Sequence, residues 1–324
     1  MAYTLADMAR IATEPLKKGV VDVFRRESFI MDTLRWETVN SLSLTVLRTK
    51  TLPDLTWRKI GETWVESKGV VEPIQERVFN LGGYIDVDKV LLKADTIVNQ
   101  RALQTDMFTT AFAYAFNDSF INGQPSRDED EVIGLFYRIR NFLGGTSGQE
   151  KNLNGLDISP DSGSLSASFE TYMDGVQELI HMCEGHQADV LMMNSTLYLR
   201  TLSALRQKGL FATDQDNYGR TVATWGPGGP KIIDLGYKAD GSTKIITDVE
   251  LSNGSALTGG GATSVYAARL GEKYLMGIQL YPLDVQDVGL LENGVAYRTV
   301  VDWPVGIYMV NPRSVARLSG IIAA

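Results

Sequence analysis

Phe108, Phe112, Phe116 and Phe120 recur at every fourth residue, and no other pattern in this 324-residue chain restricts the fold as tightly. Residues four apart on an α-helix lie one above another, so the four rings form one apolar stripe. Leu103, Met107, Ala111, Ala115 and Ile121 flank it. Asp95 or Thr96 can cap the helix, and Asn122-Gly123 followed by Pro125 stops it. The spacing therefore predicts a helix over residues 97–122, about 39 Å long at 1.5 Å per residue. Each buried Phe contributes on the order of 1.5–3 kcal/mol. Such a rod needs apolar partners on the rest of the chain.

Those partners are available. With 44% apolar residues the chain can bury a sizeable core and divide into two lobes. A formal charge of −8 argues against a surface built mainly to grip nucleic acid. The single cysteine, Cys183, excludes an internal disulfide and suggests synthesis in a reducing compartment. The opening MAYTLADMARIATEP has neither the basic nor the apolar region of a signal peptide, and no apolar run is long enough to span a bilayer.

Before the helix, residues 1–40 carry Phe24, Phe29, Ile30, Leu34 and Trp36 in short fragments with no partner among themselves. They pack either on their own domain or on a neighbouring subunit. From Ser41 the period changes to two: Leu42, Leu44 and Val46 alternate with Ser41, Ser43 and Thr45, which is strand patterning. A return strand is expected at Tyr84–Leu92. Between them, Thr51–Gly83 is rich in Lys, Glu, Gly and Pro yet holds Trp57, Ile60, Trp64 and Val65. A two-stranded excursion cannot bury tryptophans alone. It either folds back or lies on another molecule.

After the helix come the acidic run Asp128–Glu131 and an apolar element at Val132–Leu143. Thr146–Ser168 reads as loop, Ser168–His181 as an amphipathic helix, Ala188–Met193 as a buried strand, and Thr196–Gln207 as a second helix. Over 210–295 short strands such as Lys231–Asp234, Lys244–Thr247 and Thr263–Arg269 alternate with glycine-rich turns at Gly226–Pro230 and Gly259–Gly261. Ala296–Val310 supplies long strand material interrupted by Pro304.

Chemistry is scarce. His181, Cys183, Glu184 and His186 form the one metal-like cluster, but these are the only histidines and the only cysteine, so a tetrahedral Cys/His set has no second half. Helix-end residues are the simpler reading. No Gly-Lys-Ser/Thr phosphate loop and no G-x-S-x-G elbow occurs. Carboxylates are plentiful, but nothing singles out a pair. Neither a catalytic residue nor a cofactor or metal site is expected, so the chain is read as a non-enzyme.

The order of parts is informative: an apolar arm, a Lys/Glu-rich β excursion with tryptophans, one long helix, then Val190–Met193 followed by Asn194-Ser195-Thr196 and a helix. Glycine-rich turns and a Tyr297-Arg298 return strand complete it. This resembles the Hong Kong 97-like major capsid proteins of tailed double-stranded-DNA phages, over essentially the whole chain. The resemblance implies an α+β fold with an N-terminal arm (1–40) and an extended β-hairpin loop (41–84). It implies a peripheral domain (85–188 and 292–324) carrying the spine helix, with Phe108, Phe112, Phe116 and Phe120 as its core. A mixed α/β axial domain (189–291) would follow, whose Gly228, Gly229 and Gly260 loops meet at capsomer centres. The extended loop would lie on a neighbour through Trp57, Lys59, Ile60, Glu62, Trp64, Glu66 and Lys68. The arm would do so through Phe24, Phe29 and Ile30. The partners implied are further copies of the chain in hexamers and pentamers, a separate scaffolding protein or none, and portal and decoration proteins. DNA would be enclosed without sequence-specific binding, in a virion assembled from protein made in the host cytoplasm, with no membrane involved. No lysine–asparagine cross-link is expected, although Lys59 and Lys68 lie in the loop.

Two other readings remain open. An encapsulin-like compartment shell shares the fold, and a soluble enzyme roofed by the glycine-rich lobe would be a monomer or small oligomer.

Overall fold

The computed structural model describes residues 28–90, 100–125, 128–142, 148–162, 165–215, 219–250, 261–292 and 294–323. In chain order the elements are α1 (Phe29–Thr33), β1 (Trp36–Thr38), β2 (Ser43–Thr51), β3 (Val70–Arg77), β4 (Phe79–Asp88) and the spine helix α2 (Gln100–Asn122). A short α3 (Leu135–Tyr137) runs into a π-helical turn at Arg138–Phe142. Then come β5 (Glu150–Asp157), α4 (Leu165–Met182), β6 (Val190–Met193) and α5 (Ser195–Gln207). Among the described residues eight further strands follow: β7 (Phe211–Gln215), β8 (Thr221–Trp225), β9 (Lys231–Asp234), β10 (Thr263–Ala268), β11 (Leu275–Gln279), β12 (Asp284–Leu290), β13 (Ala296–Met309) and β14 (Val315–Ile322).

The strands form a seven-stranded sheet, β5-β14-β10-β6-β9-β8-β7, and a five-stranded sheet, β1-β11-β13-β12 with β4 also on β13. The hairpin β2-β3 stands apart from both. Alternation along the central strands of the larger sheet gives it two apolar faces. Leu191, Met193, Ile232, Val265, Ala267, Ala316 and Leu318 face a core with α4 and α5. Their neighbours Val190, Met192, Ile233, Tyr266, Ala268 and Val315 face the core that also holds the spine helix and the five-stranded sheet. The larger sheet is thus the shared wall between the two cores.

Phe112, Phe116 and Phe120 are buried, and Phe108 packs half-buried at the edge of the same core. Phe116 meets Trp36 and Trp303 at centroid separations of 5.8 and 5.4 Å, and the two tryptophans lie 4.8 Å apart. Met107, expected to flank the stripe, is exposed. Asp95 and Thr96 lie outside the described residues. Pro304 does not break β13. β12 pairs with it as far as Asp302 and β11 takes over from Val305, so the missing N–H falls at the changeover.

Several expectations are corrected. The strand that returns on β2 is Val70–Arg77, with Ser43 opposite Arg77, whereas Phe79–Asp88 joins the five-stranded sheet beside β13. The alternation continues through Val78, so sequence alone did not show where one sheet is left and another entered. Glu150–Asp157, read as loop, is a strand parallel to β14; its residues Glu-Lys-Asn-Leu-Asn-Gly-Leu-Asp carry too few apolar side chains to signal one. Lys244–Thr247 forms only an isolated bridge, Tyr237 to Lys244, although Ile245 and Ile246 are buried. β5, α4 and β14 build the larger sheet and its helical cover, while β11 and β12 belong with the spine helix.

Candidate assembly interface

The hairpin root is held by charge. Arg138 donates from its two terminal nitrogens to Oε1 and Oε2 of Glu76 at 2.6 and 2.8 Å, with both side chains almost fully buried. Arg138 also donates to the carbonyls of Ile133 and Ile307. Arg48 approaches Glu76 at 3.5 Å and donates to the Met309 carbonyl at 2.6 Å. Burial pushes the Arg48 guanidinium below its ordinary value, and Glu76 opposes that shift. Glu76 and its two arginines thus tie both strands of the hairpin to the end of β13 and to the turns on either side of α3. Sequence reading missed these three residues. Their only trace is a pair of charges, Arg48 and Glu76, at inward positions of period-two strands.

At the far end, residues 52–69 leave the ladder. Trp57 and Ile60 are as open as in an unfolded chain, and Trp64 is 63% exposed. Leu52, Leu55 and Val65 are exposed as well. The tip turns at Lys59–Glu62, where Glu62 N–H bonds to the Lys59 carbonyl and Gly61 takes φ +96°. The Glu62 carboxylate accepts from the Lys59 N–H, and Arg58 donates to the Glu62 carbonyl while its guanidinium lies 5.2 Å from the Trp64 ring. Glu66 and Lys68 form an exposed ion pair. All seven loop residues singled out from sequence therefore sit together on one projecting, largely unburied arm. Exposed apolar side chains in such a group mark a contact surface.

The other singled-out residues fare differently. Ile30 is buried in the chain's own core and Phe29 packs against it, with Ser28 capping α1 and donating to Asn117 on the spine helix. Both were expected on a neighbour, and both are corrected to internal packing. The cause is the start of β1: Trp36 pairs its strand with β11, which pulls α1 onto the spine. Phe24 and Gly260 lie outside the described residues. Gly228 is exposed in the β8–β9 turn with φ +72°, and Gly229 follows it half-buried.

Among the described residues no three of His, Cys, Asp and Glu converge as a metal set. The His181 and His186 rings stack at 3.7 Å, and Cys183 is buried in the core beside α4 and α5. Among the described residues no helix is long and apolar enough to cross a membrane.

A separate hairpin arm, one spine helix and two mixed sheets define the Hong Kong 97-like capsid fold, and solved shells share it. The SrpI encapsulin of Synechococcus elongatus PCC 7942 aligns over 91% of this chain and 88% of its own, with TM-score 0.61 and 14% identity. The capsid of a native GTA particle aligns over 92% and 90%, with TM-score 0.60 and 16% identity. Mycobacterium phage Bobi aligns over 90% and 89%, with TM-score 0.56 and 10% identity. Within that class, residues 14–158 match the family model of major capsid protein GP7. A search of curated proteins finds no match. The match spans the hairpin arm and the spine helix, and the fold is the one that these shell proteins share.

Proposed function

We propose that the chain is the head-shell subunit of a tailed phage, assembling as hexamers and pentamers around a double-stranded DNA genome. The supporting observation is the arm: Trp57 and Ile60 stand fully open at one end, while the other end is fixed by the buried Arg138–Glu76 pair. A rigid lever with an apolar tip has a use only when a second copy receives it. Trp57, Lys59, Ile60, Glu62, Trp64, Glu66 and Lys68 are then the contacts made on that copy. The lobe of the seven-stranded sheet is the axial domain, with Gly228 and Gly229 at the capsomer centre, and the spine-helix lobe is the peripheral domain. A chain of charge −8 leaves a lining that does not hold DNA tightly, because affinity for phosphate grows with the number of cationic contacts. Scaffolding, portal and decoration proteins complete this picture of a virion component.

The test is negative-stain microscopy with light scattering on the purified protein. Closed shells or stable rings of five or six subunits are expected, and a monomer under all assembly conditions would overturn the proposal. The alternative, a compartment shell, draws on the similarity to the SrpI encapsulin. Particles filled with protein and free of nucleic acid would favour it.

A further inference from the structure

Resting on the shell reading, we infer that the receptor for the arm tip is an acid-rimmed hollow at the root of the next copy's arm, formed where the spine helix, β4 and β13 meet. A depression of about 420 Å³ has Phe79, Leu81, Val132 and Val305 in its lining, with Phe116 beneath. A second hollow of about 320 Å³ shares Phe79, Glu131 and Val132 with it and reaches Gln75 and Arg77 at the root of β3. Asp128, Asp130 and Glu131 border the first, and Glu129 the second. Four carboxylates thus border the two hollows, while Arg77 and Arg138 line the second, Arg138 already paired with the buried Glu76.

The tip has the opposite character. Trp57 and Ile60 flank Arg58 and Lys59, and the one acid within the turn, Glu62, is folded back onto the Lys59 N–H. The Lys59 ammonium has no ion pair among the described residues. An aromatic and an aliphatic side chain bracketing two cations match an apolar hollow edged with carboxylates in both size and sign.

The arm cannot serve its own hollow. β3 alone has eight residues, which at about 3.3 Å each carries the tip some 26 Å beyond Arg77. The buried Arg138–Glu76 pair fixes the root, so the tip of one copy is aimed away from its own groove. A tip at one end and a receptor at the other form a head-to-tail contact, the kind that closes into rings.

Two variants, each adding one cysteine, test this: Ile60→Cys at the tip and Asn80→Cys beside the hollow. Native Cys183 is buried and does not compete. Both new sites are exposed, and thermal melting of each variant verifies folding. Mixed, co-assembled and mildly oxidised, the two variants should give disulfide-linked dimers that neither gives alone. In parallel, Arg58→Glu with Lys59→Glu should lower the assembled fraction on the order of tenfold, and Asp128→Lys with Asp130→Lys should restore it when combined with the first pair. Shells that form normally yet show no mixed cross-link, or Ile60→Cys subunits that link to one another, would overturn the receptor assignment and leave the shell reading intact. Failure of the wild-type chain to assemble under any condition would remove both.

Discussion

Arg138 and Glu76 lie 62 residues apart and meet through two hydrogen bonds of 2.6 and 2.8 Å, at 2% and 3% exposure. Arg138 follows the turn after the spine helix, and Glu76 is the penultimate residue of the hairpin. Their contact sets the direction in which the arm leaves the body. A bidentate guanidinium–carboxylate pair fixes two planes against each other as well as a distance, which a single apolar contact does not.

Removing one member should therefore be worse than removing the whole cluster. Glu76→Leu leaves the buried Arg48 and Arg138 guanidiniums without the carboxylate between them. The expected loss is about 3–5 kcal/mol of subunit stability. Glu76→Leu combined with Arg48→Met and Arg138→Met should lose less than Glu76→Leu alone, since none of the three buried charges remains. Urea unfolding of wild type and the two variants measures this. Equal losses for the single and triple variants would show that the cluster is not stabilising through charge.

The arm tip should behave in the opposite way. Trp57→Ala with Trp64→Ala removes rings that are largely in solvent, so the unfolding midpoint should move by no more than about 0.5 kcal/mol in stability terms. Assembly should fall sharply, because exposed aromatic anchors carry much of an interface's energy. Replacing residues 53–68 by a short Gly-Ser turn should likewise give a folded subunit that closes no shells. The cut stops short of Glu76 so that the root stays intact. A loss of stability parallel to the loss of assembly would mean that the rings are internal packing.

Much of this was legible in the sequence, and the omissions have physical causes. The phenylalanine stripe located the spine helix because helical periodicity needs only local information. Val190–Met193 and the helix at Ser195 were readable for the same reason, with Asn194 accepting from the Leu197 N–H as a cap. The partner of β2 was misplaced because strand pairing is non-local: Val70–Arg77 contains Pro73 and three charged residues and advertises nothing by itself. β5 was missed because its strand order depends on β14, 165 residues later in the chain. The Arg48–Glu76–Arg138 cluster was invisible because charged residues in strands are ordinarily solvent-facing. The projecting tip was legible, since tryptophans in a Lys/Glu-rich segment have no local explanation.

The crowding around Trp36 makes a further test. Its ring lies against β11 at Gly277, where an added Cβ would stand 2.3 Å from Cε3 and 2.4 Å from Cζ3. Trp36 cannot retreat, being packed between Phe116 and Trp303. Gly277→Ala should cost about 1–3 kcal/mol through overpacking. Near-ultraviolet circular dichroism should report the displaced indole. An unchanged spectrum and melting temperature would mean that the β1–β11 contact is loose.

Cys183 gives the pH-dependent prediction. Burial pushes its thiol up to about 12, with Asp189 adding to the rise and Arg269 opposing it. The unfolded chain has an ordinary thiol, ionising near pH 8.5. The folded pKa is the higher one, so the folded state holds its proton where the unfolded state has lost it. This contribution is complete below about pH 8.5 and is lost progressively as the pH climbs toward 12. Compared with Cys183→Ala, wild-type stability should fall by about 1–2 kcal/mol more between pH 8 and pH 10. In the native state at pH 8 the thiol should resist iodoacetamide, and in urea it should react fully. Rapid labelling of the folded protein would show that the core around Cys183 opens, and that the thiol is not held in an apolar site.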